Sequence, residues 1–276
     1  MNRSRSAATL MIPLLLLSPG RAALGFAGAI PDPNLEAAVR ATLHLDEKAE
    51  LNDEKLKSLF VLDATGKDIA DLTGLAKCPN LASIRLTKGR VVDLSPLKDL
   101  PNLQSLDLSG NKVVDLGPLA GLVRLQYLNL ADNEVEKVDP LAGLKELNAL
   151  DLSGNKVADL KPVAGLSRLA SLYLGRNKVV DLGPLAGLTR LATLNLSDNQ
   201  VENLSVLAKL PDLDLAVVER NKVADLGPLV QAAKGAPAGS ARWAFLRLYL
   251  AGNPLSDLAK GEQLAALRAA GVRIEP

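Results

Sequence analysis

The apolar positions of this chain follow one long period. From Leu59 to about Asn253 a unit of 22 residues repeats almost without gaps. In its full form the unit opens with leucines at positions one, four and six and reaches asparagine at position nine. Four copies carry the pattern in full: LQSLDLSGNKVVDLGPLAGLVR from Leu103, LNALDLSGNKVADLKPVAGLSR from Leu147, LASLYLGRNKVVDLGPLAGLTR from Leu169 and LATLNLSDNQVENLSVLAKLPD from Leu191. The alternation across positions four to six predicts a short strand with one buried face. In the second half an Asp precedes a Pro by three residues, as in Asp93…Pro96, Asp115…Pro118, Asp159…Pro162, Asp181…Pro184 and Asp225…Pro228. That spacing reads as a cap followed by a short helical turn.

A strand and a turn within 22 residues cannot bury their own leucines. Stacked units can, and the L-x-x-L-x-L-x-x-N opening is the leucine-rich-repeat signature of such a solenoid. The predicted fold is an α/β solenoid: a leucine-rich-repeat horseshoe with a parallel β-sheet on the concave face and a helical cap at each end. Nine units start at Leu59, Leu81, Leu103, Leu125, Leu147, Leu169, Leu191, Leu213 and Phe245, spanning 59–253. The first two carry Lys67 and Gly89 at position nine. The ladder proper is Asn111, Asn133, Asn155, Asn177, Asn199, Asn221 and Asn253, whose amides are expected to satisfy backbone groups beyond the reach of water. The eighth unit is 32 residues long, and its Ala-, Gly- and Pro-rich excess, about 231–241, predicts a surface loop.

Residues 30–58 differ from the repeats. Asp32-Pro33 reads as an N-cap with proline at the first helical position. Leu35, Ala38, Val39 and Leu43 follow at helical spacing, with His44 assigned to the same helix, and Asn52 can cap a second short helix carrying Leu56 and Leu59. The segment 254–276 reads as the other cap, a helix through Leu258, Leu264 and Leu267, a stop at Gly271, and a last strand with Val272 and Ile274. Residues 1–29 read as a secretory signal peptide. Arg3 and Arg5 precede the apolar run AATLMIPLLLL, and Ala29, Ala27 and Ala22 end candidate cleavage sites. That run is short of the ~20 residues a spanning helix needs. The expected location is therefore exported (periplasmic, secreted or cell-surface), with no membrane span after leader cleavage.

Composition narrows the function further. Beyond the leader, 29 Lys and Arg face 31 Asp and Glu, a net of −2, which gives no electrostatic reason to expect nucleic acid. One cysteine, Cys78, excludes an intrachain disulfide, and it stands where most units carry an inward Leu. The lone histidine, with no nucleophile elbow, P-loop or CxxC, argues against an enzyme. No cofactor is implied.

The opening PDPNLEAAVR, the stretch IADLTGLAKCPNLASIRL and the D-L-x-P-L-A-G-L half-repeat together resemble the internalin-type bacterial leucine-rich-repeat proteins. The resemblance covers roughly residues 30–276. It implies an extracellular, bacterial protein that binds partners through its concave face. The 22-residue period also resembles the phosphatase-1-binding leucine-rich-repeat regulator, which lacks a leader, so an intracellular scaffold is one alternative. A purely structural envelope spacer is another.

With the leucines inward, positions three and five of each unit face the concave surface. The candidate partner-binding set is Ser83, Arg85, Ser105, Asp107, Tyr127, Asn129, Asp151, Ser171, Tyr173, Thr193, Asn195, Arg247 and Tyr249. All three tyrosines of the chain fall in it, and tyrosine gives large contact area and a polar tip at low entropic cost. Val61 and Asp63 extend the row at one end. Leu215 and Val217 form an apolar strand that either the long loop or a partner covers. The expected partner is a protein or peptide, with a glycan as the alternative, and the chain is expected to be a monomer. Asp107 and Asp151 sit two units apart, too far for one metal ion, so they read as solvated or partner-facing acids. Lys112, Lys156, Lys178 and Lys222 follow the ladder and read as a solvated basic flank.

Overall fold

The computed structural model describes residues 29–236 and 242–275. The leader, with Ala22 and Ala27, and the end of the expected loop, 237–241, lie outside the described residues. Every predicted repeat strand is present: β1 Val61–Asp63, β2 Ser83–Arg85, β3 Ser105–Asp107, β4 Tyr127–Asn129, β5 Ala149–Asp151, β6 Ser171–Tyr173, β7 Thr193–Asn195, β8 Leu215–Val217, β9 Arg247–Tyr249 and a closing β10 Arg273–Glu275. They form one parallel sheet in strict sequence order. Equivalent residues pair, such as Leu106 with Leu128 and Leu128 with Leu150.

The leucines at positions one, four and six are fully buried through the middle of the stack, for example Leu125, Leu128 and Leu130. Each such side chain contributes about 1.5–3 kcal/mol by leaving water, against about 0–1 kcal/mol for a surface ion pair. The stacked core therefore governs the fold, and surface charge adjusts it. Cys78 is buried among these leucines, and burial raises its thiol pKa to about 11.

Opposite the sheet, units close through 3₁₀ turns such as Ser95–Leu97, Gly117–Leu119 and Lys161–Val163. The preceding Asp accepts the N–H of the first residue of the turn, Asp115 from Gly117 at 2.8 Å and Asp159 from Lys161 at 2.9 Å. Proline at the second position of these turns fixes φ where no N–H is needed.

The ladder asparagines bind units to one another. Asn155 Oδ1 accepts the Val135 N–H at 2.9 Å, while its Nδ2 donates to Leu130 O at 2.8 Å and Leu152 O at 2.9 Å. Asn111, Asn133, Asn177, Asn199 and Asn221 are buried and make the corresponding bonds. Asn253 repeats them on Val223, Val218 and Leu250, half-buried.

Helix α1, Pro33–Thr42, covers the first apolar end, and α2, Asp53–Lys57, follows it. Leu35, Val39 and Leu56 are buried beneath them. Asp32 joins the cap to the repeats: Oδ1 accepts from Asn34 and Leu35 at 2.9 and 3.1 Å, and Oδ2 from Ala70 and Asp71 at 2.9 and 3.1 Å. Burial raises its pKa, but the four N–H donors outweigh burial and leave the carboxyl below its ordinary value. Ile30 is buried, and the Ala29 carbonyl packs on Gly74, where any Cβ would collide with it.

Several expectations shift. His44 lies past α1, not on it. With φ +52° it forms the left-handed residue of a Schellman stop, in which Leu45 N–H reaches Arg40 O at 2.9 Å. Leu59 lies beyond α2 and is buried through the first repeat instead. The expected loop begins later than Gln231, because α3, Gly227–Lys234, continues the turn of unit eight and buries Leu229 and Val230. Phe245 is not an inward residue. It ends α4, Arg242–Phe245, at 62% exposure, and Leu246 is buried in its place. Approach from a helix rotates the chain by one residue before β9. Leu258 is exposed and Ala259 buried, because a π turn, Ala259–Gln263, precedes α5, Leu264–Ala269, and displaces the apolar stripe. Arg242 holds α4 in place: its guanidinium donates to the carbonyls of Leu207, Ala208 and Leu210 and lies 4.4 Å from the Trp243 ring centroid.

Candidate functional site

The exposed face of the sheet has two columns of side chains. The position-three column reads Val61, Ser83, Ser105, Tyr127, Ala149, Ser171, Thr193, Leu215, Arg247 and Arg273 in register. The position-five column reads Asp63, Arg85, Asp107, Asn129, Asp151, Tyr173, Asn195, Val217, Tyr249 and Glu275. The structure thus places the whole candidate set on one surface. The tyrosines split between columns, Tyr127 in the first and Tyr173 and Tyr249 in the second. Small neighbours, Ser105 and Ala149, flank Tyr127, which is 39% exposed. Burial and then the nearby Asp107 carboxylate raise the Tyr127 hydroxyl above its ordinary pKa.

The position-five acids and amides have a structural duty that sequence reasoning missed. Asp107 Oδ1 accepts the N–H and Oγ of Ser109 at 3.0 and 2.8 Å, and Asp151 Oδ1 accepts the Ser153 N–H at 2.8 Å. Asp63, Asn129 and Asn195 do the same two residues ahead. Each caps the turn that ends its strand, as Asp and Asn do when they bond their own backbone two residues on. The recurring spacing of Asp or Asn followed by Ser, Thr or Ala two residues later carried this signal. Such a bond is worth about 0.5–1.5 kcal/mol. Arg85, Tyr173, Val217 and Tyr249 therefore stand where the repeat forgoes a turn cap in favour of a different side chain. Arg85 pairs with Asp63 at 3.1 Å. The other three lie on β6, β8 and β9.

A second feature also escaped the pattern. Position eight is left-handed in every repeat unit, with φ between +52° and +74° at Gly66, Lys88, Gly110, Asp132, Gly154, Arg176, Asp198, Arg220 and Gly252. Four of its charged occupants pair across units: Arg220 with Asp198 at 2.6 Å, and Arg176 with Asp132 at 2.7 Å. The latter bridge skips one unit and passes over Gly154, where a Cβ would strike the Asp132 carboxylate. Lys156 of the basic flank pairs with Glu134 at 3.1 Å.

Among the described residues no group of three or more His, Cys, Asp or Glu side chains is arranged to hold a metal ion. Shallow depressions of about 460 and 570 Å³ flank Lys137 on the side of the 3₁₀ turns, away from the tyrosines. They lie where Lys137 replaces the turn-capping Asp, and they are open rather than enclosed.

The sequence matches family models for leucine-rich repeats at residues 123–165 and 167–209, in two copies, and at 79–135. Its fold is similar to that of internalin C2 from Listeria monocytogenes, at 34% identity over 73% of this chain and 89% of that one, with a TM-score of 0.70. The chain belongs to the internalin-type leucine-rich-repeat proteins. This internalin-type solenoid is also similar to an internalin F from the same organism, at 26% identity over 90% of this chain and 75% of that one, with a TM-score of 0.71. A Leptospira interrogans leucine-rich-repeat protein shares the fold at 23% identity over 81% of this chain and 62% of that one, with a TM-score of 0.62. No curated protein matches the sequence. Among the described residues, no helix of the internalin-type chain is long and apolar enough to cross a membrane.

Proposed function

We propose that this chain is an exported interaction protein, without catalysis, whose concave sheet face binds a protein partner. One observation carries the reading: all three tyrosines stand on the exposed sheet face, two of them at positions where the repeat otherwise caps its own turns. A rigid parallel sheet holding large amphipathic side chains at fixed spacing loses little entropy on binding, which favours association.

Export rests on the leader-like residues 1–29 and on the kinship with internalins. The packing of the Ala29 carbonyl on Gly74 favours removal at Ala27 or Ala22 over Ala29, since a start at Ile30 would delete that contact. The test has two parts. Intact mass of the native protein from the exported fraction is expected to match a start at Gly28 or Ala23. The wild-type chain and the triple variant Tyr127→Ala, Tyr173→Ala, Tyr249→Ala are then used to capture partners from envelope and culture medium. The triple variant is expected to keep the wild-type circular dichroism spectrum and lose the partner. Equal capture by both would refute the concave-face assignment. A full-length mass in the cytoplasm would refute export.

A further inference from the structure

Pairings across the exposed face avoid like charge at every step but one. Arg85 sits between Asp63 and Asp107, and Asn129 separates Asp107 from Asp151. At the far end Arg247 of β9 stands directly opposite Arg273 of β10. Like charges directly opposite on neighbouring strands destabilise a sheet. Among the described residues neither arginine has a carboxylate within ion-pair distance; Arg124, Arg190, Arg242 and Arg268 share that state, while Arg40, Arg85, Arg90, Arg168, Arg176 and Arg220 are paired. Glu275 shares the strand with Arg273 but does not bridge to it. Beside the arginines lie Leu215, Val217 and Tyr249, with Tyr173 two strands further on. Val217 and Tyr249 are also places where the repeat has given up its turn cap.

We infer that the surface of β6 to β10 is the docking site for an extended, acidic peptide segment of the partner. Its Asp or Glu side chains meet Arg247 and Arg273, and an aliphatic or aromatic residue beside them packs on Leu215, Val217 and Tyr249. This inference rests on the concave-face reading and narrows it to one end. Five strands span about 19 Å, the reach of roughly six extended residues. Arginine forks suit carboxylates in paired, planar contact. A long polyanion fits poorly, because further along the same face it would run over Asp107 and Asp151. A short acidic segment ends before them.

The test pans a random twelve-residue peptide display library on the full chain. Enriched peptides are then measured by fluorescence anisotropy. The expected peptides carry two or more Asp or Glu within six residues, next to a large apolar residue. Arg247→Ala with Arg273→Ala is expected to weaken them at least tenfold. Arg247→Glu with Arg273→Glu is expected to select Lys- and Arg-containing peptides instead. Lys137→Ala, on the opposite side, is expected to leave affinity within twofold. Circular dichroism checks that each variant is folded.

No enrichment, or enrichment without acidic residues, overturns the inference. Polyphosphate binding as tightly as the best peptide also overturns it, in favour of a polyanion. Peptides that lose affinity in Tyr127→Ala but not in the arginine variants overturn this inference and leave the concave-face reading standing. Peptides insensitive to every substitution on the sheet face overturn both.

Discussion

Replacing one ladder asparagine tests the central claim about how the units hold together. Asn155 accepts the Val135 N–H and donates to Leu130 O and Leu152 O across two units. Asn155→Ala strands the Val135 N–H in a site that water does not reach, and takes one bond from each carbonyl, which keep those from Asn133 and Asn177. A buried group left without a partner costs about 1–3 kcal/mol. Carbonyls with a second bond suffer less than the lone N–H, so the sum is about 3–5 kcal/mol. Asn253 makes the same three bonds but is half-buried in the last ladder unit. Water can replace it there, and Asn253→Ala is expected to cost about 1–2 kcal/mol. Asn155→Asp is expected to fall below Asn155→Ala at neutral pH, since a carboxylate keeps the acceptor but faces two carbonyls with no proton to give. Urea unfolding followed by circular dichroism reads the result. With a slope of about 3 kcal/mol per molar, the Asn155→Ala midpoint falls by roughly 1–1.7 M and the Asn253→Ala midpoint by roughly 0.3–0.7 M. Lys156→Ala, next in sequence and exposed, is the control, expected within about 0.5 kcal/mol of wild type. If Asn155→Ala unfolds at the same urea concentration as Lys156→Ala, the ladder is not a stabilising network.

Gly154→Ala is expected to cost about 1–3 kcal/mol, through its left-handed backbone and the displaced Asp132–Arg176 bridge; a melting temperature equal to wild type would contradict that. Lys88→Gly, at a left-handed position with a side chain, is expected to be neutral or to stabilise by up to about 1 kcal/mol in the same assay, and a drop of several degrees would speak against it. The lowered pKa of Asp32 means its contribution is present above the unfolded carboxyl value near 3.8 and is lost as pH falls through the folded value. Wild-type stability is therefore expected to drop more steeply than that of Asp32→Asn below about pH 4; parallel acid titrations would show that Asp32 is not the linking group. Cys78, buried with its thiol pushed up to about 11, is expected to resist dithiobis-nitrobenzoate at pH 8 in the native protein and react once urea unfolds it. Prompt native labelling would mean the first repeats open readily.

The repeat was legible because its physics is local and redundant. Leucines at positions one, four and six and asparagine at nine have one economical arrangement, and it recurs often enough to override single exceptions such as Lys67 and Gly89. Strand boundaries follow from the same period, so the sequence alone places Tyr127, Tyr173 and Tyr249 on one surface. Asp32-Pro33 and Asn52 announced their helices because capping depends on neighbours in sequence. What the period could not decide lies where the chain leaves it. Phe245 and Leu258 turned outward because a helix and a π turn each shifted the phase by about one residue, which spacing alone does not encode. Asp32 was readable as a cap, but its two bonds to Ala70 and Asp71 join residues nearly forty apart in the chain. The like-charge pair of Arg247 and Arg273 likewise exists only through the register of β9 and β10. Sequence thus determined which residues share a face, because strand and helix geometry are local. Tertiary structure alone decided which of them touch, because contact depends on how distant segments are brought into register.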